Sequence, residues 1–146
     1  MRSWLSFRRS LSTRRPEQDT LRRFLIHKYT ATYGQCMCSM CQTKLPPQLL
    51  DVSHIKPRRE LAPREYLNKH NVELMCKMCH RLFDIGQVAV AETSEIVIKP
   101  EMAGYDGLSI SQMCGSPYIA FNKYNEHYLN WHYRNIFGGG GGGGSC

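Results

Sequence analysis

Four cysteines fall into two pairs with the spacing of a metal-binding turn. Cys38 and Cys41 form the first Cys-x-x-Cys pair, and Cys76 and Cys79 form the second. A turn of this spacing presents two thiolates to one tetrahedral metal, and four thiolates make the soft, closed site that suits Zn²⁺. We therefore predict a structural zinc site at these four cysteines, with Cys36 as the alternative to Cys38.

The segment between the two pairs predicts how they are brought together. Residues 42–75 separate the pairs, which exceeds the roughly 15–20 residues common between two zinc-binding pairs. Residues 51–55, before Pro57, and residues 72–75 are short apolar runs of strand character. A hairpin of these two strands accounts for the extra length, and the zinc site would tie the strands together.

Two histidines and one asparagine occupy these predicted elements. His54 lies in the first strand, Asn71 opens the second, and His80 starts a short helical segment, 80–84, that Gly86 ends. A neutral imidazole accepts a proton near neutral pH, since its unperturbed pKa is about 6.5. Asp84 lies four residues after His80, on the same helix face, so a His–carboxylate pair for a divalent ion is feasible.

This order of a strand with His, a strand with Asn and a helix with His resembles the HNH endonucleases. Residues 53–57 (SHIKP) are similar to the first strand of that family, and Asn71 with Leu74 and Cys76 to the second. Residues 80–86 (HRLFDIG) are similar to its helix, with the Phe-Asp-x-Gly ending of the restriction-type branch. The resemblance runs from the first cysteine pair to Gly86. It implies an α+β fold with a small ββα-metal core and a structural zinc site.

The resemblance also implies an activity and a role for each site residue. The expected activity is metal-dependent hydrolysis of phosphodiester bonds in DNA, with RNA left open. His54 would be the general base that activates water, Asn71 the orienting amide, and His80 a ligand of a catalytic Mg²⁺ or Mn²⁺ ion.

Ser53 departs from the family pattern. Many HNH proteins carry Asp or His directly before the base as a metal ligand, and serine is a poor ligand. Asp51, two residues earlier on the same strand face, is one substitute, and Asp84 is the other. The departure leaves a second function open, a zinc-stabilised nucleic-acid-binding module with a degenerate nuclease site.

The loop after the first strand is basic. Lys56, Arg58 and Arg59 follow the strand that carries the expected base, where they would neutralise phosphate charge without reading sequence. The interleaved Glu60 and Glu65 also fit a merely solvated loop.

The positive charge of the chain is concentrated at its start. The net charge is +7, but residues 1–16 hold five arginines and no acid, which leaves 14 basic residues against 12 acidic ones. This segment has the composition of a mitochondrial or plastid transit peptide, of a flexible basic arm and of a solvated tail alike. We expect a nuclease domain at residues 17–137 and a flexible glycine-rich tail at 138–146, outside the fold.

Three further elements should flank the core. Leu21, Phe24, Leu25 and Tyr29 follow helical spacing, which predicts a helix over residues 17–33. Residues 87–91 and 95–99 predict a β-hairpin. A helix should start at Ser116-Pro117 and run to residue 137. We expect its aromatic residues to pack in the core, with base stacking as the alternative; these are Tyr118, Phe121, Tyr124, Tyr128, Trp131 and Phe137. We expect its two histidines, His127 and His132, to be structural.

The cysteine content and the lack of long apolar runs bear on location. Seven cysteines without a secretory signal favour reduced thiols over a disulfide framework, so we expect an intracellular protein that is not secreted. No apolar run approaches the roughly 20 residues that span a bilayer, so no membrane partner is expected.

Overall fold

The structure, a computed structural model, describes residues 16–139 and 146. The predicted basic segment lies outside the described residues except for Pro16, and so do residues 140–145 of the glycine-rich tail. Over these described residues the architecture is α+β, as predicted, with two small antiparallel sheets and three α-helices. In chain order the elements are α1 (Pro16–Tyr33), β1 (Leu50–His54), β2 (Val72–Cys76), α2 (Lys77–Asp84), β3 (Val88–Val90), β4 (Ile96–Ile98) and α3 (Glu126–His132), which continues as the π-helix Tyr133–Phe137.

The centre of the fold is the hairpin of β1 and β2 with α2 following directly. The two strands are antiparallel, with Leu50 opposite Cys76 and His54 opposite Val72. The helix α2 begins at Lys77 and not at His80, because Cys76 caps it: its Sγ accepts a hydrogen bond from the backbone NH of Cys79 at 3.4 Å. The second cysteine pair therefore lies at the start of the helix, and the predicted ββα order is confirmed.

Gly86 ends α2 for a steric and a conformational reason. Its φ of +77° lies in the left-handed region, which glycine adopts without strain. A side chain at this position would collide with the backbone carbonyl of Ile136. The end of α2 is thus packed directly against the C-terminal helical segment.

The helix α1 packs on the central hairpin through the predicted apolar face. Leu21, Leu25 and Tyr29 are all buried. Arg22, off that face, donates from its guanidinium to the backbone carbonyls of Pro47 and Leu50 and so fastens the helix to the start of β1. Within residues 16–139, none of the helices combines the length and apolar character needed to cross a membrane.

The predicted helix start at Ser116-Pro117 is wrong, although the β3–β4 hairpin is confirmed. Pro117 instead pairs with Glu95 in a β-bridge that extends the hairpin. Two asparagines then form a tight turn, because the Oδ1 of Asn122 accepts from the backbone NH of Asn125, and the Oδ1 of Asn125 accepts from that of Asn122. Side chains of this type compete with helical hydrogen bonding, and α3 begins only after the turn.

The expectation of reduced thiols holds for five of the seven cysteines and fails for Cys114 and Cys146. The sulfurs of Cys114 and Cys146 are joined in a disulfide, with their Cα atoms 5.4 Å apart, whereas the other five cysteines are free thiols. The end of the tail is therefore attached to the fold. Near its start, the hydroxyl of Tyr133 donates to the carbonyl of Gly139 at 3.2 Å.

Glu73, in the middle of β2, is a buried carboxylate. Its side chain is 1% exposed; its Oε1 accepts from the hydroxyl of Tyr29 at 2.6 Å, and its Oε2 lies 4.0 Å from the Nζ of Lys28. Burial raises the pKa of Glu73, and the nearby Lys28 and Tyr29 offset only part of this effect. The folded chain therefore holds the proton of this carboxyl more tightly than the unfolded chain does.

Replacing Glu73 with glutamine should stabilise the protein near neutral pH. The folded parent holds the Glu73 proton more tightly than the unfolded chain, so its stability falls as the pH rises from the ordinary pKa of 4.5 through the raised one. The gain in unfolding free energy of Glu73→Gln should thus grow with pH over this range. Denaturant unfolding of both proteins at matched pH measures it, and the exposed Glu101→Gln is the control. A gain in unfolding free energy that is largest at acidic pH would contradict this prediction.

Candidate active site and metal centre

The four paired cysteines converge on one point. The sulfurs of Cys38, Cys41, Cys76 and Cys79 all lie within 4.8 Å of one another, and those of Cys41 and Cys76 are 4.0 Å apart. Tetrahedral zinc with Zn–S bonds of about 2.3 Å requires sulfurs roughly 3.8 Å apart, which this cluster approaches. Cys36 is excluded from the cluster, since its sulfur points to the carbonyl of Ile26 at 3.9 Å.

The protonation of the cluster favours a bound cation. Mutual hydrogen bonds among the sulfurs, that with Cys38 first, lower the pKa of Cys76 to about 6 and also lower the pKa of Cys41. Hydrogen bonds within the cluster, with Cys41 first for Cys38 and with Cys38 first for Cys79, raise the pKa of these two thiols. A dipositive ion at the centre would favour the thiolate form of all four cysteines.

His80 lies between two carboxylates, one at each ring nitrogen. Its Nδ1 is 2.9 Å from Oδ2 of Asp51, and its Nε2 is 3.2 Å from Oδ2 of Asp84. The hydrogen bond with Asp84 raises the pKa of His80; burial opposes the rise and the bond with Asp51 adds to it. The two carboxylates face different nitrogens, so these residues do not converge on one point. Within residues 16–139 and 146, the cysteine cluster is the one group of three or more His, Cys, Asp or Glu whose ligand atoms do.

Asp51 has a second cationic partner. The Nζ of Lys77 lies 2.7 Å from its Oδ1. Burial raises the pKa of Asp51, but the hydrogen bonds from His80 and Lys77 outweigh that effect and leave the pKa below its ordinary value. Asp51 is therefore an ionised carboxylate engaged on both oxygens.

His54, His80 and Asp84 share one cleft. The cleft has a volume of about 440 Å³, and its wall also includes Arg58 and Arg59. His80, Gln18 and Val52 also line a neighbouring cleft of about 620 Å³, which includes Asp51. The structure thus places the expected base in the same cleft as one of the two carboxylates that contact His80.

Asn71 binds the backbone that follows His54. The side chain is 1% exposed; its Oδ1 accepts from the NH of Lys56 at 2.8 Å, and its Nδ2 donates to the carbonyl of Lys56 at 3.0 Å. The carbonyl of Asn71 also accepts from the NH of Ile55 at 2.9 Å. These three bonds fasten the exit of β1, and hence the backbone that carries His54, to the start of β2.

The three basic loop residues differ in their surroundings. The Nζ of Lys56 lies 5.2 Å above the ring of Trp131. The guanidinium of Arg58 stacks on Tyr66 at 3.8 Å and pairs with Glu17 at 2.9 Å, so it is engaged within the chain. Arg59 is exposed at the edge of the cleft.

A histidine of the C-terminal helix α3 packs against the last turn of α2. The ring of His132 stacks on Phe83, with centroids 3.5 Å apart and an interplanar angle of 4°, and its Nε2 donates to the carbonyl of Phe83 at 2.7 Å. Burial lowers the pKa of His132 to about 4, so the ring is neutral near pH 7. Phe83 immediately precedes Asp84, and this contact fixes the last turn of α2.

Sequence reasoning missed two residues near the site. Glu73 faces Ser53 across the hairpin and is buried beside it. In the sequence, the burial of Glu73 was indicated only by its position as the one acidic residue in the apolar run 72–75. Lys77, the partner of Asp51, carried no signal, because the pairing depends on where α2 starts.

The described residues therefore contain a ββα module with a four-cysteine cluster that could hold a zinc ion, a histidine on the first strand and another on the helix. Comparison with protein families agrees: the model of the family described as HNH endonuclease matches residues 36–91. The match spans both cysteine pairs, both strands and α2, and it confirms the resemblance over that stretch. A nuclease-type function with a metal site is the activity class that this family indicates. Comparison with curated proteins found no match.

Proposed function

We propose that the chain is a metal-dependent endonuclease that hydrolyses phosphodiester bonds in DNA. The observation that supports this most is the shared cleft of His54, His80 and Asp84, within the stretch that the HNH family matches. His54 would accept a proton from water, the water oxygen would attack phosphorus, and the bond to one ester oxygen would break. That oxygen would leave and take up a proton from solvent.

The catalytic ion would be held by His80 and Asp84. Two neighbouring ligands of an octahedral ion with bonds of about 2.1 Å are roughly 3.0 Å apart. The separation of 3.2 Å between Nε2 of His80 and Oδ2 of Asp84 fits this requirement. The Asp51 side fits less well, because the ammonium of Lys77 lies beside that carboxylate. A bound Mg²⁺ or Mn²⁺ ion would neutralise charge on the phosphate and on the leaving oxygen.

Asp51 would then orient His80 without binding the ion. A histidine that ligates a metal through one nitrogen commonly donates from the other to a carboxylate, which fixes its ring and tautomer. Asp51 is in that position at Nδ1. Asn71 would hold the backbone that carries His54, and Arg59 would contact phosphate at the rim of the cleft.

The four-cysteine cluster would hold zinc for structural reasons. It joins the segment 38–41 to the start of α2, while the histidines lie elsewhere on the hairpin and on the helix. Four sulfur ligands close the coordination sphere and leave no position for water or substrate. We infer that the zinc stabilises the module and takes no part in hydrolysis.

A second candidate function is a nucleic-acid-binding module without cleavage. Ser53 is fully buried and has no access to an ion, so the strand offers no ligand directly before His54. Incubation of the purified protein with supercoiled plasmid and Mg²⁺ or Mn²⁺ separates the two. Nicked or linear product supports the endonuclease, whereas binding without cleavage supports the alternative.

Mild EDTA should abolish cleavage without unfolding the protein. The carboxylate–imidazole pair is exposed to solvent on the Asp84 side and would release Mg²⁺ readily, whereas four thiolates bind zinc tightly. Circular dichroism should stay nearly unchanged, and added Mg²⁺ or Mn²⁺ should restore cleavage. If fold and activity were lost at the same EDTA concentration, the two metal sites would not be separate.

A further inference from the structure

Tyr124 is an exposed aromatic side chain on a rigid support. It is 53% exposed, unlike the buried Tyr118, Tyr128 and Phe137 of the same region. The backbone NH of Tyr124 donates to Oδ1 of Asn122 at 2.8 Å, and the turn below it is closed by the buried Asn125. The ring is therefore presented at the surface by a preorganised turn.

The ring of Tyr124 is part of a small stacked platform. His70 stacks on it, with centroids 4.9 Å apart and an interplanar angle of 26°. The Nζ of Lys123 lies 5.1 Å from the centre of the Tyr124 ring. The backbone NH of His70 is in turn fixed by Oδ1 of Asn68 at 2.9 Å.

The surroundings of this platform are mainly basic. Lys28 and Lys69 place their Nζ atoms 6.0 Å and 5.0 Å from the centre of the Phe24 ring. Burial lowers the pKa of His70, and Lys28, Lys69 and His127 lower it further through their positive charge. Of the nearby acids, Glu73 is buried beneath Lys28, while Glu126 is exposed at the start of α3. The accessible charge of the surface is therefore predominantly positive.

We propose that this surface, formed by Phe24, Lys28, Lys69, His70, Lys123 and Tyr124, binds an unpaired strand of nucleic acid. Lysines would neutralise the phosphates, and a base would stack on the exposed part of the Tyr124 ring. An unpaired strand fits better than a duplex, since stacking on a protein ring requires a base face that duplex stacking already covers. DNA and RNA strands share this chemistry.

The surface is connected to the proposed active site through the backbone. His70 directly precedes Asn71, which binds the loop that follows His54. A strand held at the Tyr124 surface would thus lie on the element that organises the cleft. The proposal rests on the proposed nuclease function for the choice of a nucleic acid, but the binding can be measured without any cleavage.

The test is fluorescence anisotropy with a short labelled DNA strand, in the absence of Mg²⁺ and Mn²⁺. Tyr124→Ala should weaken binding of the single strand roughly tenfold, the usual effect of losing one base–aromatic stack. Binding of the corresponding duplex should change much less, and Tyr124→Phe should bind like the parent. Lys69→Ala should reduce the salt dependence of the affinity by about 0.7 in log–log slope, since one phosphate contact is lost.

Tyr105→Ala is the matched control, because Tyr105 is also exposed, at 62%, and lies outside the surface. An RNA strand of the same sequence is measured in parallel, and a loss with Tyr124→Ala on either strand supports the proposal. Equal affinities of Tyr124→Ala and the parent for both strands would overturn it, as would an equal loss on the duplex or with Tyr105→Ala. Failure of plasmid cleavage leaves these binding results intact, so the two proposals fail separately.

Discussion

Cys79→Ser should leave the chain without bound zinc and without a cooperative fold. Cys79 is buried, belongs to the four-sulfur cluster and lies in the first turn of α2. Structural zinc contributes about 10–16 kcal/mol of apparent binding free energy in zinc-finger peptides. A domain of this size has a net stability of only about 5–15 kcal/mol. Loss of the ion should therefore remove most or all of the stability.

Metal analysis and circular dichroism test this expectation, and Cys36→Ser is the matched control. Cys36 is as buried as the ligands but lies outside the cluster, so its variant should keep about one zinc per chain and the parent fold. A folded Cys79→Ser protein that lacks zinc would show that the hairpin, α1 and the aromatic core suffice. Equal zinc loss in both variants would contradict the choice of ligands.

The order of elements in the core was predictable because local sequence determines it. The cysteine spacing, the two apolar runs and Gly86 each restrict a few neighbouring residues, and together they define a hairpin followed by a helix. The hairpin 88–98 was predictable for the same reason. All of these signals act within one strand or one turn of helix.

The arrangement around His80 was not predictable to the same degree. Asp84 follows from helical spacing, but Asp51 contacts His80 only because β1 and β2 pair in one register and α2 starts directly at the strand end. A shift of one residue in that register would turn Asp51 to the other face of the hairpin. The sequence therefore offered the two carboxylates as alternative ligands of one ion, whereas the structure places them at different nitrogens of His80.

The C-terminal region shows where local signals compete. Ser116-Pro117 is a good helix start, but the pairing of Pro117 with Glu95 extends the sheet, and the side chains of Asn122 and Asn125 close a turn. Tertiary contacts therefore override the local helix preference of Ser116-Pro117.

The burial of Glu73 also depends on tertiary contacts, since its partners Tyr29 and Lys28 belong to a helix distant in sequence.

His54→Ala should slow single-turnover cleavage by roughly 10²–10⁴, the usual contribution of a positioned general base. The change removes neither a zinc thiolate nor a proposed ligand of the catalytic ion, so fold, zinc content and nucleic-acid binding should match the parent. His27→Ala, an exposed histidine on α1, is the matched control and should cleave like the parent. Asn71→Ala should cost less than His54→Ala if the amide only orients the loop.

His80→Ala distinguishes loss of a ligand from loss of a base. Its cleavage should fall and should also require more Mg²⁺ or Mn²⁺ for half-maximal rate, because the ion would keep only Asp84 from the protein. His54→Ala should show no such change in metal requirement. Cleavage rates over a range of metal concentration and pH for both variants provide the comparison. If His54→Ala cleaves as fast as the parent, His54 is not the base, and a nucleic-acid-binding module stabilised by zinc becomes the better account of this hairpin.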